Sequence, residues 1–105
     1  MSFAPIQRDV DEWISQFEEG YFPPLAMLAR LTEEVGELSR ALMHRYGGKK
    51  PKSGEAQGNV AEEIADAIFV LVCMANEQHI DLDEAFEKMM GKIRTRDGER
   101  WTRKG

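Results

Sequence analysis

Leu31-Thr32-Glu33-Glu34-Val35-Gly36-Glu37-Leu38-Ser39-Arg40-Ala41-Leu42 decides how the rest of this chain folds. Leu31, Val35, Leu38 and Leu42 recur at spacings of four, three and four, which makes one apolar face of an α-helix. At about 100° per residue, Glu34 lies about 70° from the centre of that face and Glu37 about 60° further round. Glu33 points almost directly away. Glu34 and Glu37 are therefore neighbours one turn apart, at the edge of a seam expected to be buried. Like charges so placed destabilise a helix by about a few tenths of a kcal/mol, and by more where water is scarce. A lone Glu-x-x-Glu is ordinarily a solvated face. A second acidic pair further along changes that reading.

Working outward, Pro24 opens this helix and Gly47-Gly48 ends it near Tyr46. Tyr21-Phe22-Pro23-Pro24 is an extended connector, since a residue before proline avoids the helical region. Before it, Ile6, Val10, Trp13, Ile14 and Phe17 predict a helix over 6–18 that stops at Gly20. Residues 47–58 form a polar loop without apolar periodicity, whose Lys49, Lys50 and Lys52 read as solvated lysines. A third helix starts at the N-cap Asn59 with Glu62 three residues on, and a fourth at Asp81 with Glu84, running to about Arg94. His44 and His79 lack partners at metal-ligand spacing and read as surface residues.

The fold class is thus all-α: four main helices in an antiparallel bundle, one domain over 1–105, with a basic tail over 95–105. From Ile64 to Ala75, eleven of twelve residues are apolar and the exception is Asp66. A helix apolar all round must be covered on all sides, and three other helices of one small chain cannot do it. Leaving Phe69, Leu71 and Val72 uncovered would sacrifice about 1.5–3 kcal/mol each. The bundle is therefore expected to be completed by a homo-oligomer, a dimer or a tetramer.

Charged residues make up 31% of the chain and the net charge is -5, which argues against general nucleic-acid binding. The one cysteine, Cys73, excludes an internal disulfide framework and suits a reducing compartment. No signal-peptide layout is present, and the longest apolar run, Ala67 to Ala75, is too short to span a bilayer. The expected setting is the cytoplasm, away from membranes.

The second acidic pair is Glu63 and Asp66, which repeats the spacing of Glu34 and Glu37. Antiparallel packing of the second and third helices lets the two pairs face each other. Four carboxylate arms around one point make an oxygen-only site, the kind that suits Mg²⁺, with Mn²⁺ as a substitute. Zinc would recruit cysteine or histidine, and a di-iron bundle would place Glu-x-x-His on two helices. Neither pattern is present around these acids.

Glu33-Glu34-x-x-Glu37, a polar loop and then Glu63-x-x-Asp66 resemble the signature of the MazG-type all-α nucleoside triphosphate pyrophosphohydrolases. The similarity extends to the Trp13–Pro24 entry and to the tail from Thr95-Arg96-Asp97 to Trp101-Thr102-Arg103, and is greatest to short single-domain members of the YpjD kind. It implies Mg²⁺-dependent hydrolysis of a nucleoside triphosphate between the α- and β-phosphates. Its implied metal ligands are Glu34, Glu37, Glu63 and Asp66, with Glu33 at the motif's first glutamate. Glu33 or Glu37 is a candidate to take the proton of the attacking water. Lys92 and Arg96, one helical turn apart, match a Lys-x-x-x-Arg element and are candidates for the departing phosphates. Asn76 and Trp13 are candidates for the base or sugar. The competing expectation is a non-catalytic helical dimerisation or interaction module with a regulatory metal or nucleotide site.

Overall fold

A computed structural model describes residues 1–48, 50–53 and 58–105; Lys49 and 54–57 of the polar loop lie outside the described residues. The chain is all-α, with no strand among the described residues. Its helices are α1 (Phe3–Ile14), α2 (Pro24–Tyr46), α3 (Val60–Glu77) and α4 (Leu82–Asp97). α2 has the bounds that its proline and its Gly-Gly pair predict. The Asn59 side chain caps α3 by accepting from the Glu62 N–H at 3.1 Å. Asp81 caps α4, accepting from the N–H groups of Asp83 at 2.9 Å and Glu84 at 3.3 Å.

Two helix boundaries differ from the sequence expectation. α1 spans 3–14 rather than 6–18. Its first turn is capped from across the fold, where the Asp83 carboxylate accepts from the N–H of Phe3 at 2.8 Å and of Ala4 at 3.3 Å. The Phe3 and Phe86 rings meet beside this cap at 5.2 Å between centroids. α4 continues past Arg94 to Asp97, because no helix breaker occurs between Arg94 and Gly98, whose N–H closes on the Arg94 carbonyl. Residues 95–97 are thus helical, and the irregular tail is shorter than expected.

α2 and α3 form the main pair. Near the start of α2, Met27 shares one pocket with Cys73 and another with Met74 and Gln78, near the end of α3. Near the end of α2, Ala41 lies against Gly58, just before α3 begins. The pair is therefore antiparallel, as the 13-residue connection between them allows. A side chain at Gly58 would place its Cβ 2.8 Å from the Ala41 Cβ and 3.1 Å from its Cα, so glycine permits the close approach here. α1 packs on α3, and the principal contact of α4 is with α1.

Within one chain these helices do not close a four-helix bundle. The core is Met27, Ala41, Val70, Val72, Cys73 and Ala75. The radius of gyration is 17.6 Å, against about 13 Å for a compact chain of this length. The accessible surface is 8387 Å², against about 6,000 Å² for a folded monomer of this mass. Ile64, Ile68, Phe69 and Leu71 of α3 are 40–47% exposed, so the all-round apolar helix is indeed left partly uncovered. Val72 is not part of that surface; at 1% exposure it is the largest fully buried side chain. Phe3, Ile68, Leu71, Ile80 and Phe86 line an open apolar groove beside α3.

The inward face of α2 also differs from expectation. Met27, Leu31, Glu34, Leu38 and Ala41 face inward, while Val35 and Leu42 of the leucine stripe are 53% and 40% exposed. α2 has two overlapping apolar faces, and the one used within the chain runs through Glu34 instead of beside it. α1 behaves alike: Phe3, Gln7, Val10 and Ile14 are its more buried positions, while Ile6 and Trp13 face outward.

Candidate metal centre

The antiparallel α2–α3 pair positions the acids. Glu34 lies on the inward face of α2, its side chain 13% exposed. Glu63 and Asp66 lie one turn apart on α3, opposite it. One carboxylate oxygen from each of Glu34, Glu63 and Asp66 falls within 4.8 Å of the others. Mg²⁺ binds oxygen at about 2.0–2.1 Å, so opposite ligands of one ion stand about 4.2 Å apart. The three oxygens lie close enough for side-chain rotation to bring them onto a single hard cation, and the all-oxygen donor set suits Mg²⁺ or Mn²⁺.

The electrostatics agree with the geometry. The Glu63 carboxyl is held above its ordinary value, first by partial burial and then by its neighbours Asp66, Glu34, Glu37 and Glu62. Asp66 is exposed in the single chain, not buried as its apolar neighbours suggest, because the face of α3 on which it sits is itself uncovered.

Glu37 is near enough to act on Glu63 but has turned to Arg40, whose Nη2 donates to its Oε1 at 2.6 Å. Glu33 is exposed on the outer side of α2. Lys92 and Arg96 are exposed on α4, and Arg96 grips the Asp97 carboxylate with Nε at 3.2 Å and Nη2 at 2.9 Å. Trp13 is 56% exposed and edge-on to Phe17, with centroids 5.2 Å apart.

Asn76 is the centre of a hydrogen-bond knot that ties α1 and the connector to α3. Its Nδ2 donates to the Gln7 carbonyl at 2.9 Å and to the Tyr21 hydroxyl at 3.0 Å, and its Oδ1 accepts from Gln7 Nε2 at 2.9 Å. Tyr21 in turn donates to Asp11 at 2.7 Å. Its pKa is pushed up to about 12, chiefly by burial and then by the Asp11 bond, so it stays a neutral donor.

The sequence reading passes over two residues of this region. Gln7 interrupts an otherwise apolar inner stripe of α1, which is the signal that could have found it. Arg30 stands four residues before Glu34, a spacing that permits an ion pair, and its Nε does donate to Glu34 Oε1 at 3.2 Å.

An acidic cluster thus lies between two antiparallel helices of an all-α chain, and residues 22–101 match the MazG nucleotide pyrophosphohydrolase domain, so the chain belongs to that family. It is an enzyme of the nucleotide pyrophosphohydrolase class, which sets aside the non-catalytic module. It is 58% identical over 99 residues to the uncharacterized protein YpjD of Bacillus subtilis (strain 168), spanning 94% of this chain and 89% of that protein. The crystal structure of the Bacillus-conserved MazG protein, described as a nucleotide pyrophosphohydrolase, superposes with a TM-score of 0.78 at 46% identity over 92% of this chain and 94% of that one. That of the putative pyrophosphatase YPJD from Bacillus subtilis gives 0.78 at 53% identity over 89% and 95%.

Proposed function

We propose that the chain hydrolyses a (deoxy)nucleoside triphosphate at the α–β phosphate bond, releasing a nucleoside monophosphate and pyrophosphate, as a cytoplasmic nucleotide-pool housekeeping enzyme. The observation that carries this reading is the convergence of Glu34, Glu63 and Asp66 from two helices. Glu34, Glu63, Asp66 and, once turned from Arg40, Glu37 would hold Mg²⁺ or Mn²⁺. When bound, the cation neutralises phosphate oxygens and supplies an activated water at near-neutral pH. Glu33 or Glu37 would accept a proton from the water that attacks the α-phosphorus.

Basic groups must hold the phosphates that depart, and Lys92 and Arg96 are assigned to this role. α4 has its main contact with α1, not with the α2–α3 pair that carries the acids. A homo-oligomer built on the exposed faces of α2 and α3 brings basic side chains of one subunit to the acids of another, including the tail from Arg100 to Lys104. Exposed Trp13 is available to a base in the same way. Asn76, with its amide committed to Gln7 and Tyr21, acts as framework behind it.

No helix among the described residues is long and apolar enough to cross a membrane. The test is incubation with a panel of triphosphates and Mg²⁺ in ¹⁸O-water. Label in the monophosphate and none in pyrophosphate is expected. Orthophosphate and nucleoside diphosphate as first products would refute the assignment of the bond.

A further inference from the structure

Between the end of α1, the connector, the start of α2 and the middle of α3 lies a cavity of about 90 Å³, joined to the acidic cluster through Arg30, which lines it and pairs with Glu34. At roughly 10–15 Å³ per water-sized sphere it admits on the order of six to nine of them, the scale of a nucleobase. Phe22, Met27, Phe69 and Cys73 supply apolar walls, and the Tyr21 ring forms another. That ring is fixed by the bonds of its hydroxyl to Asp11 and Asn76, which hold the oxygen's donor and acceptor away from any ligand. Arg30 is the one charged residue of the lining. Its Nε is tied to Glu34, and among the described residues its two terminal amino groups have no hydrogen-bond partner. A carboxylate has two oxygens, so Glu34 can serve a cation with one and keep Arg30 in place with the other.

We infer that Arg30 is a specificity-determining residue, reading the acceptor edge of a nucleobase seated in this cavity while Glu34 fixes its distance from the reacting phosphates; this rests on the triphosphate reading above. An apolar slot with one converging polar group binds a flat heterocycle and orients it. Two parallel N–H donors of a guanidinium match two adjacent acceptors. Guanine offers O6 and N7, and cytosine offers O2 and N3. Adenine sets N6–H₂ or C2–H between its ring acceptors and uracil sets N3–H between its carbonyls, so both mismatch the fork. A good bidentate pair discriminates by about 10- to 100-fold.

The test compares kcat/KM for GTP, CTP, ATP and UTP in the wild type, Arg30→Gln and Arg30→Lys, with Mn²⁺ affinity measured by calorimetry. GTP or CTP is expected to exceed ATP and UTP by about 10- to 100-fold, the choice between the two showing which edge is read. Both variants should lose that advantage through KM while binding Mn²⁺ no more weakly, since lysine keeps the charge but not the fork. Equal losses on all four substrates, or a wild type without the advantage, would overturn the inference and leave Arg30 as a mere prop for Glu34. A wild type that hydrolyses no triphosphate would instead sink the enzymatic reading. The cavity is then judged by calorimetry of GMP, CMP, AMP and UMP in EDTA, where a preference for GMP or CMP lost in Arg30→Gln sustains it and its absence refutes it.

Discussion

Leu71→Glu tests whether the open faces of this chain are an interface. Leu71 is 47% exposed on the single chain and lines the apolar groove beside α3. Were the chain a monomer, this would be a surface substitution, costing within about 0.5 kcal/mol. In an oligomer the remaining half of the side chain is buried by a partner, worth about 1 kcal/mol, and a buried unpaired carboxylate adds about 3 kcal/mol. Two copies give about 8 kcal/mol per dimer, more than five powers of ten in Kd. The surface supports the larger figure, since 8387 Å² exceeds the monomer expectation by about 2,400 Å², whereas a standard interface covers about 800 Å² per partner. Sedimentation equilibrium at micromolar concentration, with activity measured on the same samples, is the assay. The wild type should sediment as a dimer or larger, and the variant should dissociate and lose turnover. A folded, active wild-type monomer of 12.0 kDa would refute the reasoning.

Asp66→Asn should abolish Mg²⁺-dependent turnover and weaken Mn²⁺ binding at least tenfold by calorimetry, with helicity unchanged, while exposed Glu33→Gln should leave Mn²⁺ affinity within about threefold. Because the Glu63 carboxyl is raised above 4.5 in the folded chain, it favours the folded state when protonated, below that ordinary value, and this contribution is lost as pH rises through the raised value. In EDTA, melting of the wild type against Glu63→Gln should therefore converge in acid and favour the variant near pH 7, and Mn²⁺ affinity of the wild type should fall as pH drops through the same window. Asn76→Asp, which removes both donors of the knot and leaves a carboxylate against the Tyr21 oxygen, should cost about 2–4 kcal/mol, read as a fall in melting temperature of at least about 8 °C.

The parts of this fold set by local chemistry were legible. Pro24 and Gly47-Gly48 bound α2 because one fixes φ and the other releases it, whatever surrounds them. Asn59 and Asp81 cap α3 and α4 because a short side-chain acceptor meets an N–H two or three residues on. The candidate centre was legible for a similar reason. Spacing placed Glu34 on α2 and Glu63 with Asp66 on α3, and a connection that permits antiparallel packing lets the two helices face each other. What closes α1 at its start was not legible: Asp83 reaches Phe3 from about eighty residues away, and no window of sequence contains both.

The harder failure concerns which face is inside. Periodicity reports that a face will be buried, not by what, and α2 has two such faces. The leucine stripe suggested one seam with the acids at its edge. The chain instead buries Met27, Leu31, Glu34, Leu38 and Ala41 against α3 and turns Val35 and Leu42 outward. That rotation carries Glu34 from the rim into the seam, where it meets Glu63 and Asp66, and leaves Glu37 at the margin with Arg40. The same division explains Asp66, a charge in an apolar helix that is nevertheless exposed: its side of α3 belongs to the uncovered face. A chain selected only to fold alone would not keep Val35, Leu42, Ile64, Ile68 and Leu71 in water on two adjoining helices. A partner that covered those side chains would also wall the acidic cluster, which is why Leu71→Glu is expected to cost turnover as well as assembly.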